Sequence, residues 1–454
     1  MTHFKQRFNK SKPASAPKTP AAPPARAAAL AVLTATLDQG SDAQEALDLI
    51  LDTRELSPRD RGLTTELVYG YLRLKARLDF VLRRFLLAPE KLPPELLRTL
   101  GLACYELFYL DRIPDYASLD WAVNQASADF GQALGKLANA VLRKVTQEKD
   151  AACDPGYYRN SGDSLQRAWA RYYSCPEWIV RLWVKEYGQD KAQCFLRASA
   201  APPLLGLRVN LRMPGAEELL ESLAASPDCR ARNEAGLAFP PGKAEGLEAL
   251  DALLAEGRIS RQSLAAQEAL LALDPDGWRP PVWDACAGRG GKACLLLERG
   301  IKPVWASDAH RPRLLGLRKE LARLGLTDGA HVFLAAADRP LPFKAKPRTI
   351  LLDVPCSGLG VLSRRPDAKW RRTPQDLKTL AATQTRLLHQ AFHALAPGGL
   401  LAYLTCTLNP DENERCVQRF LADMGGGAQL ETTWETPLDA SHGEFFWVAG
   451  VRKR

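Results

Sequence analysis

From residue 263 to the C-terminus, short apolar runs alternate with helical stretches: "PVWDAC", a helix over 291–299, "PVWASD", a helix over 311–324, "HVFLAAAD", "TILLDVPC", a helix over 375–395, "LLAYLTC" and a helix over 411–423. Runs that are apolar throughout suit strands buried on both faces. The intervening helices return the chain to the same edge, so this region specifies a doubly wound, mostly parallel α/β sheet. Ligands of such sheets bind beyond the carboxyl ends of the strands. Asp284, Asp308, Asp338, Asp353, Cys356 and Cys406 all fall at those ends.

A chain of 454 residues is too long for one core, and the pattern changes along it. Residues 1–26 carry Lys5, Arg7, Lys10, Lys12, Lys18 and Arg26 among prolines with no acid, the composition of a disordered basic tail. Residues 27–150 show apolar positions at three- and four-residue spacing, as in "ELVYGYLRLKARLDFVLRRFL" and "KLANAVLRKV", which predicts an all-α domain. Ser57-Pro58 reads as a helix start. Residues 151–165, rich in Pro, Gly, Asn and Asp, read as a linker. Residues 166–262 combine aromatic helices with the strands "LLGLRVNLR" and "AGLAFP" into a small α+β subdomain, whose Arg208, Asn210 and Arg212 are available to meet RNA.

A formal net charge of +9 favours a polyanionic partner, with RNA first among them. Ten cysteines without CxxC pairs, in a chain with no apparent signal or membrane-length apolar run, read as free thiols of a cytoplasmic protein. "HQAFH" at 389–393 has zinc-ligand spacing, but Gln390 stands where a metalloprotease needs Glu, so no metal site is expected. Cys294 and Cys416 lie within helices and read as packed.

"DACAGRGGKA" at 284–293 is a glycine-rich turn after the first strand of the sheet, where backbone approaches a ligand without interference from Cβ atoms. Gly288, Gly290 and Ala293 satisfy GxGxxA, and Asp308 follows about 20 residues on, where an acid holds ribose hydroxyls. A nucleoside cofactor is implied, either NAD or a methyl donor. Asp338 is suited to an adenine amino group, and Asp353 stands beside two thiols that hydride transfer does not use. Either Cys alone is explained by packing. Two at matching strand ends suit methylation of cytosine C5, which needs a thiolate added to C6 before it attacks a methyl group, and a base to take the C5 proton.

The blocks "DACAGRGGK", "DVPCSGLGVLSRRPDAKWRR", "LTCTLNPDENE" and "HGEFFWVAGVRKR" resemble the NOL1/NOP2/Sun family of RNA (cytosine-C5) methyltransferases. The helical segment with "LANAVLRKV" resembles the NusB-like domain of its RsmB-like subfamily, which acts on bacterial 16S ribosomal RNA. The resemblance implies a NusB-like all-α RNA-binding domain, a small RNA-presenting α+β subdomain, and a class I, Rossmann-like methyltransferase domain over 263–454. By matching position it makes Cys406 the nucleophile and Cys356 the group that assists product release, with Asp353 contacting the cytosine and the cofactor. Cys286, Ala287, Gly288, Arg289, Gly290, Gly291 and Lys292, with Asp308, Asp338 and Asp353, would hold S-adenosylmethionine.

Gly288 and Arg289 replace the Ala and Pro usual in the family, loosening the turn and adding a positive charge near a cationic cofactor. Ser263 stands where Asp is frequent, and "HGEFF" where "DGFF" is usual. Arg364, Arg365, Lys369, Trp370, Arg371 and Arg372 in "SRRPDAKWRR" combine cations with an aromatic ring and read as an RNA contact. The expected protein is a monomeric enzyme acting on ribosomal RNA. The rival is a non-catalytic RNA-binding assembly factor whose cofactor site is vestigial.

Overall fold

The computed structural model describes residues 23–242, 250–339, 344–440 and 442–454. Six helices form the N-terminal domain: α1 (Pro24–Leu37), α2 (Ala43–Thr53), α3 (Pro58–Arg83), α4 (Pro94–Tyr109), α5 (Asp115–Phe130) and α6 (Gln132–Gln147). Their three- and four-residue apolar spacing turns Leu67, Tyr71, Leu100, Trp121 and Val141 into one core. Ser57 caps α3 by accepting from the Asp60 N–H, as the Ser-Pro pair predicted.

Two boundaries move. Most of the basic tail, residues 1–22, lies outside the described residues, but Arg26 is not part of a tail: it sits in α1 and donates 2.8 Å to the buried carboxylate of Glu106. That acid also accepts from Ser118 and Trp121, and a buried charge of this kind is tolerated only when paired. The segment 151–165, expected to be a linker, forms two 3₁₀ turns at Ala151–Cys153 and Pro155–Tyr158. Tyr158 is fully buried, with its ring against Phe80 and its hydroxyl donating to the Ala152 carbonyl. Its aromatic residues give this stretch enough apolar area to pack.

The segment 166–262 divides into two packing units. Helices α7 (Leu165–Tyr172), α8 (Glu177–Tyr187) and α9 (Gln189–Ala200) share a core with Leu359, Leu362, Leu408 and Phe445 of the C-terminal domain. The remainder is a four-stranded antiparallel sheet in the order β2-β3-β1-β4, made of β1 (Leu205–Val209), β2 (Ala231–Arg232), β3 (Gly236–Phe239) and β4 (Ile259–Arg261). With α10 (Ala216–Ala224) and α11 (Leu250–Ala255) it has a core of its own around Leu207, Leu220 and Phe239.

The C-terminal domain opens with α12 (Leu264–Leu271), capped by Ser263. There follow β5 (Val282–Asp284), α13 (Gly291–Glu298), β6 (Val304–Asp308), α14 (Arg311–Arg323), β7 (Ala330–Leu334), β8 (Thr349–Asp353), α15 (Ala368–Arg371), α16 (Pro374–Ala394), β9 (Leu400–Thr405), α17 (Glu414–Met424), β10 (Ala428–Glu435) and β11 (Trp447–Lys453). The sheet order is β10-β11-β9-β8-β5-β6-β7. Strands β5 to β9 pair in parallel, and the last two add an antiparallel edge. Chain order reverses between β5 and β8, so the crevice of this doubly wound sheet opens at the ends of those strands, beside Asp284 and Asp353. Asp338 does not end its strand: β7 stops at Leu334, and Asp338 lies in the turn beyond.

Candidate active site

Strands β8 and β9 are neighbours in register, Asp353 opposite Leu404, so the loops that leave them start side by side. The Val354 N–H continues the pairing by donating to the Leu404 carbonyl. Cys356 and Cys406 therefore meet, with their sulfurs 3.2 Å apart and both residues half-buried. Contact with Cys406, then burial, then the charges of Cys406 and Glu412 push the Cys356 thiol well above its ordinary value. Gly360 passes against the Cys406 carbonyl, to which its N–H donates at 3.0 Å, and a Cβ there would strike the Phe445 backbone.

The glycine-rich turn links β5 to α13. Gly288 adopts φ +57° and Gly290 φ +91°, and a Cβ on Gly290 would collide with Leu317. Asp308, at the end of β6, fixes the turn: one carboxylate oxygen accepts from Gly288 N–H at 3.0 Å, the other from His310 N–H at 2.7 Å. Lys292 donates from Nζ to Asp353 at 2.5 Å. Burial alone would lower the Lys292 ammonium, but the adjacent Asp353 charge and hydrogen bond outweigh it and raise it.

Asp284 is a residue that the sequence reading placed at a strand end without a role. It is 1% exposed, and its Oδ1 has no hydrogen-bond partner. Burial, then the nearby charge of Asp353, push its carboxyl up to about 7 against the opposing pull of Lys292. An orphaned buried carboxylate oxygen, an acid fixed beside the glycine turn, and a Gly288 with open space at its Cβ position together fit a cationic nucleoside cofactor. Burial, then the Asp284 charge, hold the Cys286 thiol well above its ordinary value, which leaves it a neutral lining group.

The 16S rRNA methyltransferase RsmB/F family matches residues 269–448, the NusB family residues 23–147, and the RsmF/B-like ferredoxin-like domain residues 175–235. The chain is 33% identical to the probable ribosomal RNA small subunit methyltransferase B of Synechocystis, over 86% of this chain and 87% of that protein. It is also 33% identical to ribosomal RNA small subunit methyltransferase B of Pseudomonas putida, over 92% and 93% of the two chains. This chain belongs to the RsmB/F methyltransferase family. The solved structure of PH0851 has the same fold, with a TM-score of 0.72 at 21% identity over 96% of this chain and 100% of that one. That of NSun6 from Pyrococcus horikoshii, solved with SFG, has a TM-score of 0.51 at 20% identity, over 61% of this chain and 98% of that one.

Within this RsmB/F methyltransferase the basic segment 363–372 behaves differently from its sequence reading. Lys369 is 1% exposed and donates 2.8 Å to the Arg73 carbonyl of α3. Trp370 donates its indole N–H to the Leu72 carbonyl and packs on the core of the helical domain. Both are corrected from RNA contacts to parts of the interface between the NusB-like and methyltransferase domains, because the mid-helix carbonyls of Leu72 and Arg73 and the apolar flank of α3 take them up. Arg364 pairs with the buried Glu444 at 2.5 Å, and Arg365 and Arg371 pair with Asp42, the cap of α2. Arg372 is half-buried.

Other basic residues are also spent internally. Arg208 is buried and bidentate to Glu298 of α13, at 2.6 and 2.8 Å, and Asn210 and Arg212 bond to backbone carbonyls. The Arg208 and Arg212 links seat the small sheet on the helix that follows the glycine turn, while Asn210 bonds within the small subdomain. Arg289 is 70% exposed and pairs with Asp48 of α2 at 3.1 Å. His389 faces Asp423 and the ring of Phe420. Among the described residues no group of three or more His, Cys, Asp or Glu could hold a metal, and no helix is long and apolar enough to cross a membrane.

Proposed function

We propose that this chain transfers a methyl group from S-adenosylmethionine to carbon 5 of a cytosine in 16S ribosomal RNA, through a covalent bond between Cys406 and C6 of the base. The observation that carries this reading is the thiol pair at 3.2 Å, set beyond β8 and β9 of a methyltransferase sheet, next to the switch point and the Lys292–Asp353 pair. The RNA class comes from relatives named ribosomal RNA small subunit methyltransferase B.

When bound, S-adenosylmethionine supplies an electrophilic methyl group on a sulfonium. The turn from Cys286 to Lys292 would hold it, with Asp308 toward the ribose, Asp338 toward the adenine, and the free oxygen of Asp284 as a further acceptor. The pairing of the Arg289 guanidinium with Asp48 offsets its charge beside a cationic cofactor and supports the catalytic reading over a non-catalytic one, which calorimetry with S-adenosylmethionine discriminates.

The target cytosine must leave its stack to expose C6, which costs least in a loop. The Cys406 thiolate adds to C6, and the electron pair of the C5–C6 double bond moves to C5, which takes the methyl group. Asp353, steadied by Lys292, contacts the ring on the cofactor side. Removal of the C5 proton then returns that electron pair to the ring as the S–C6 bond breaks and Cys406 is restored. Cys356 suits this second step. Its sulfur lies 3.2 Å from that of Cys406, and as a thiolate, its own proton passed to solvent after the adduct forms, it takes the C5 proton as Cys406 leaves.

Unmodified 16S ribosomal RNA incubated with S-adenosylmethionine and the protein, one portion then digested for nucleoside analysis and another bisulfite-sequenced, tests this. One cytosine converted to 5-methylcytosine is expected. Methyl transfer to another atom would overturn the reading of the reaction, and modification confined to other RNA would overturn that of the substrate.

A further inference from the structure

Each of the paired cysteines is followed by a hydroxyl residue, Ser357 after Cys356 and Thr407 after Cys406. Those hydroxyls are bonded to each other at 2.5 Å. Ser357 spends its own hydroxyl proton on Glu412 Oε1 at 2.6 Å, so the Thr407 hydroxyl donates to Ser357. The Ser357 N–H also donates to Glu412, to Oε2 at 2.8 Å. Asn409 and Gln384 each add a side-chain N–H at 2.9 Å, which gives each carboxylate oxygen two donors.

Glu412 is 0% exposed. A buried carboxylate is costly unless fully bonded, and here every group facing it is a donor, so an acceptor-only side chain is what the site takes. Its backbone is pinned as well, because the Tyr403 hydroxyl donates to the Glu412 carbonyl at 2.7 Å. Tyr403 belongs to β9 and Ser357 to the loop after β8, so one side chain ties together the exits of both strands.

We propose that Glu412 is a positioning residue: by gripping Ser357, and through it the Thr407 hydroxyl, it holds the sulfurs of Cys356 and Cys406 in contact. This rests on the reading of Cys406 as the nucleophile and Cys356 as the release group. With the grip lost, Cys406 still reaches C6, but Cys356 no longer stands at the adduct, so release suffers more than addition. Glu412→Gln turns one acceptor into an NH₂ that faces donors. Ser357→Ala cuts only the hydroxyl link and leaves the Ser357 N–H bond to Glu412 available.

Two measurements on the full chain test the proposal. In the first, diamide oxidises the thiols, two electrons and two protons passing to its N=N bond, and the Cys356–Cys406 disulfide is followed by peptide mapping. Wild type should close this bond rapidly, and both variants about tenfold more slowly, the scale of effect expected for loss of sub-ångström alignment. In the second, covalent protein–RNA species are followed on denaturing gels with unmodified 16S ribosomal RNA and S-adenosylmethionine. The variants should accumulate adduct that wild type clears, with formation slowed less than release.

Unchanged disulfide closure in Ser357→Ala overturns the proposal, even if Glu412→Gln fails to fold. Equal slowing of formation and release in Ser357→Ala also overturns it, since a general structural defect behaves that way. Absence of adduct in Cys356→Ala with Glu412 intact would instead sink the reading of the two cysteines, and the disulfide measurement would still report on Glu412.

Discussion

The loops that follow β8 and β9 and the basic segment a few residues further on make an instructive pair. In both, the sequence displays reactive or charged side chains next to glycines and prolines. The thiols end up side by side because parallel pairing of β8 with β9 fixes where their loops begin, and that pairing follows from the strands' apolar runs. The fate of the basic segment is set by what packs against it. Helices α2 and α3 arrive from a stretch some 300 residues earlier in the chain, and Asp42, Leu72 and Arg73 take up most of its donors. A strand end carries its location with it, whereas a run of cations does not say which acids or carbonyls will meet it.

The sharpest way to break this comparison is at the thiols. Cys406→Ala is expected to lower methylation by about 10³-fold or more, the scale of losing a covalent nucleophile, while RNA binding persists. Cys356→Ala should accumulate a covalent protein–RNA band on a denaturing gel. The reverse pattern would exchange the roles, and no band with either variant would reduce the sulfur contact to packing.

Asp308 tests the glycine turn. Asp308→Ala removes the acceptor for Gly288 and His310 N–H groups as well as any bond to a ribose, and should weaken S-adenosylmethionine binding by about 1 to 3 kcal/mol in calorimetry. Wild-type affinity in this variant would place the ribose elsewhere.

Lys369 tests the interface reading of the basic segment. Burial first, with the neighbouring Arg73 and Arg77 charges adding to it, lowers its ammonium to about 7 against an ordinary 10.5. Between those values the unfolded chain binds the extra proton, so this group's penalty is full below pH 7 and is relieved as pH rises toward 10.5. Lys369→Met should therefore cost about 1 kcal/mol above pH 10.5, where only the bond to the Arg73 carbonyl is lost, and less at pH 6. Thermal unfolding at the two pH values checks this. An identical cost at both would mean that the lysine is not buried as described.

The smallest expected effect belongs to the arginines that keep some exposure. Arg365→Ala and Arg372→Ala should each flatten the salt dependence of RNA binding by about one unit of slope if they reach phosphates. Asp42→Ala, which frees Arg365 while Arg371 keeps Asp367, should steepen it. Slopes unchanged in all three would confine the whole segment to the domain interface.

By itself the sequence determined a good part of this protein. The apolar runs located all five parallel strands, the glycine turn, both thiols and every strand-end carboxylate but Asp338, because burial on both faces of β5, β6, β8 and β9 leaves a continuous signature, whereas the edge strand β7 is largely exposed. The antiparallel edge escaped that reading. Strand β10, "AQLETTWE", is mostly exposed and polar, and no crossover helix separates it from β11. Tertiary structure decided the rest: that Tyr158 packs in what reads as a linker, that Arg208 and Lys369 are buried, and that Glu412 takes four donors from three parts of the chain. The reason is physical. A strand or a turn is specified by residues near one another in sequence, but the partner of a charged or hydrogen-bonding side chain is chosen by burial, and burial exists only once distant segments have packed.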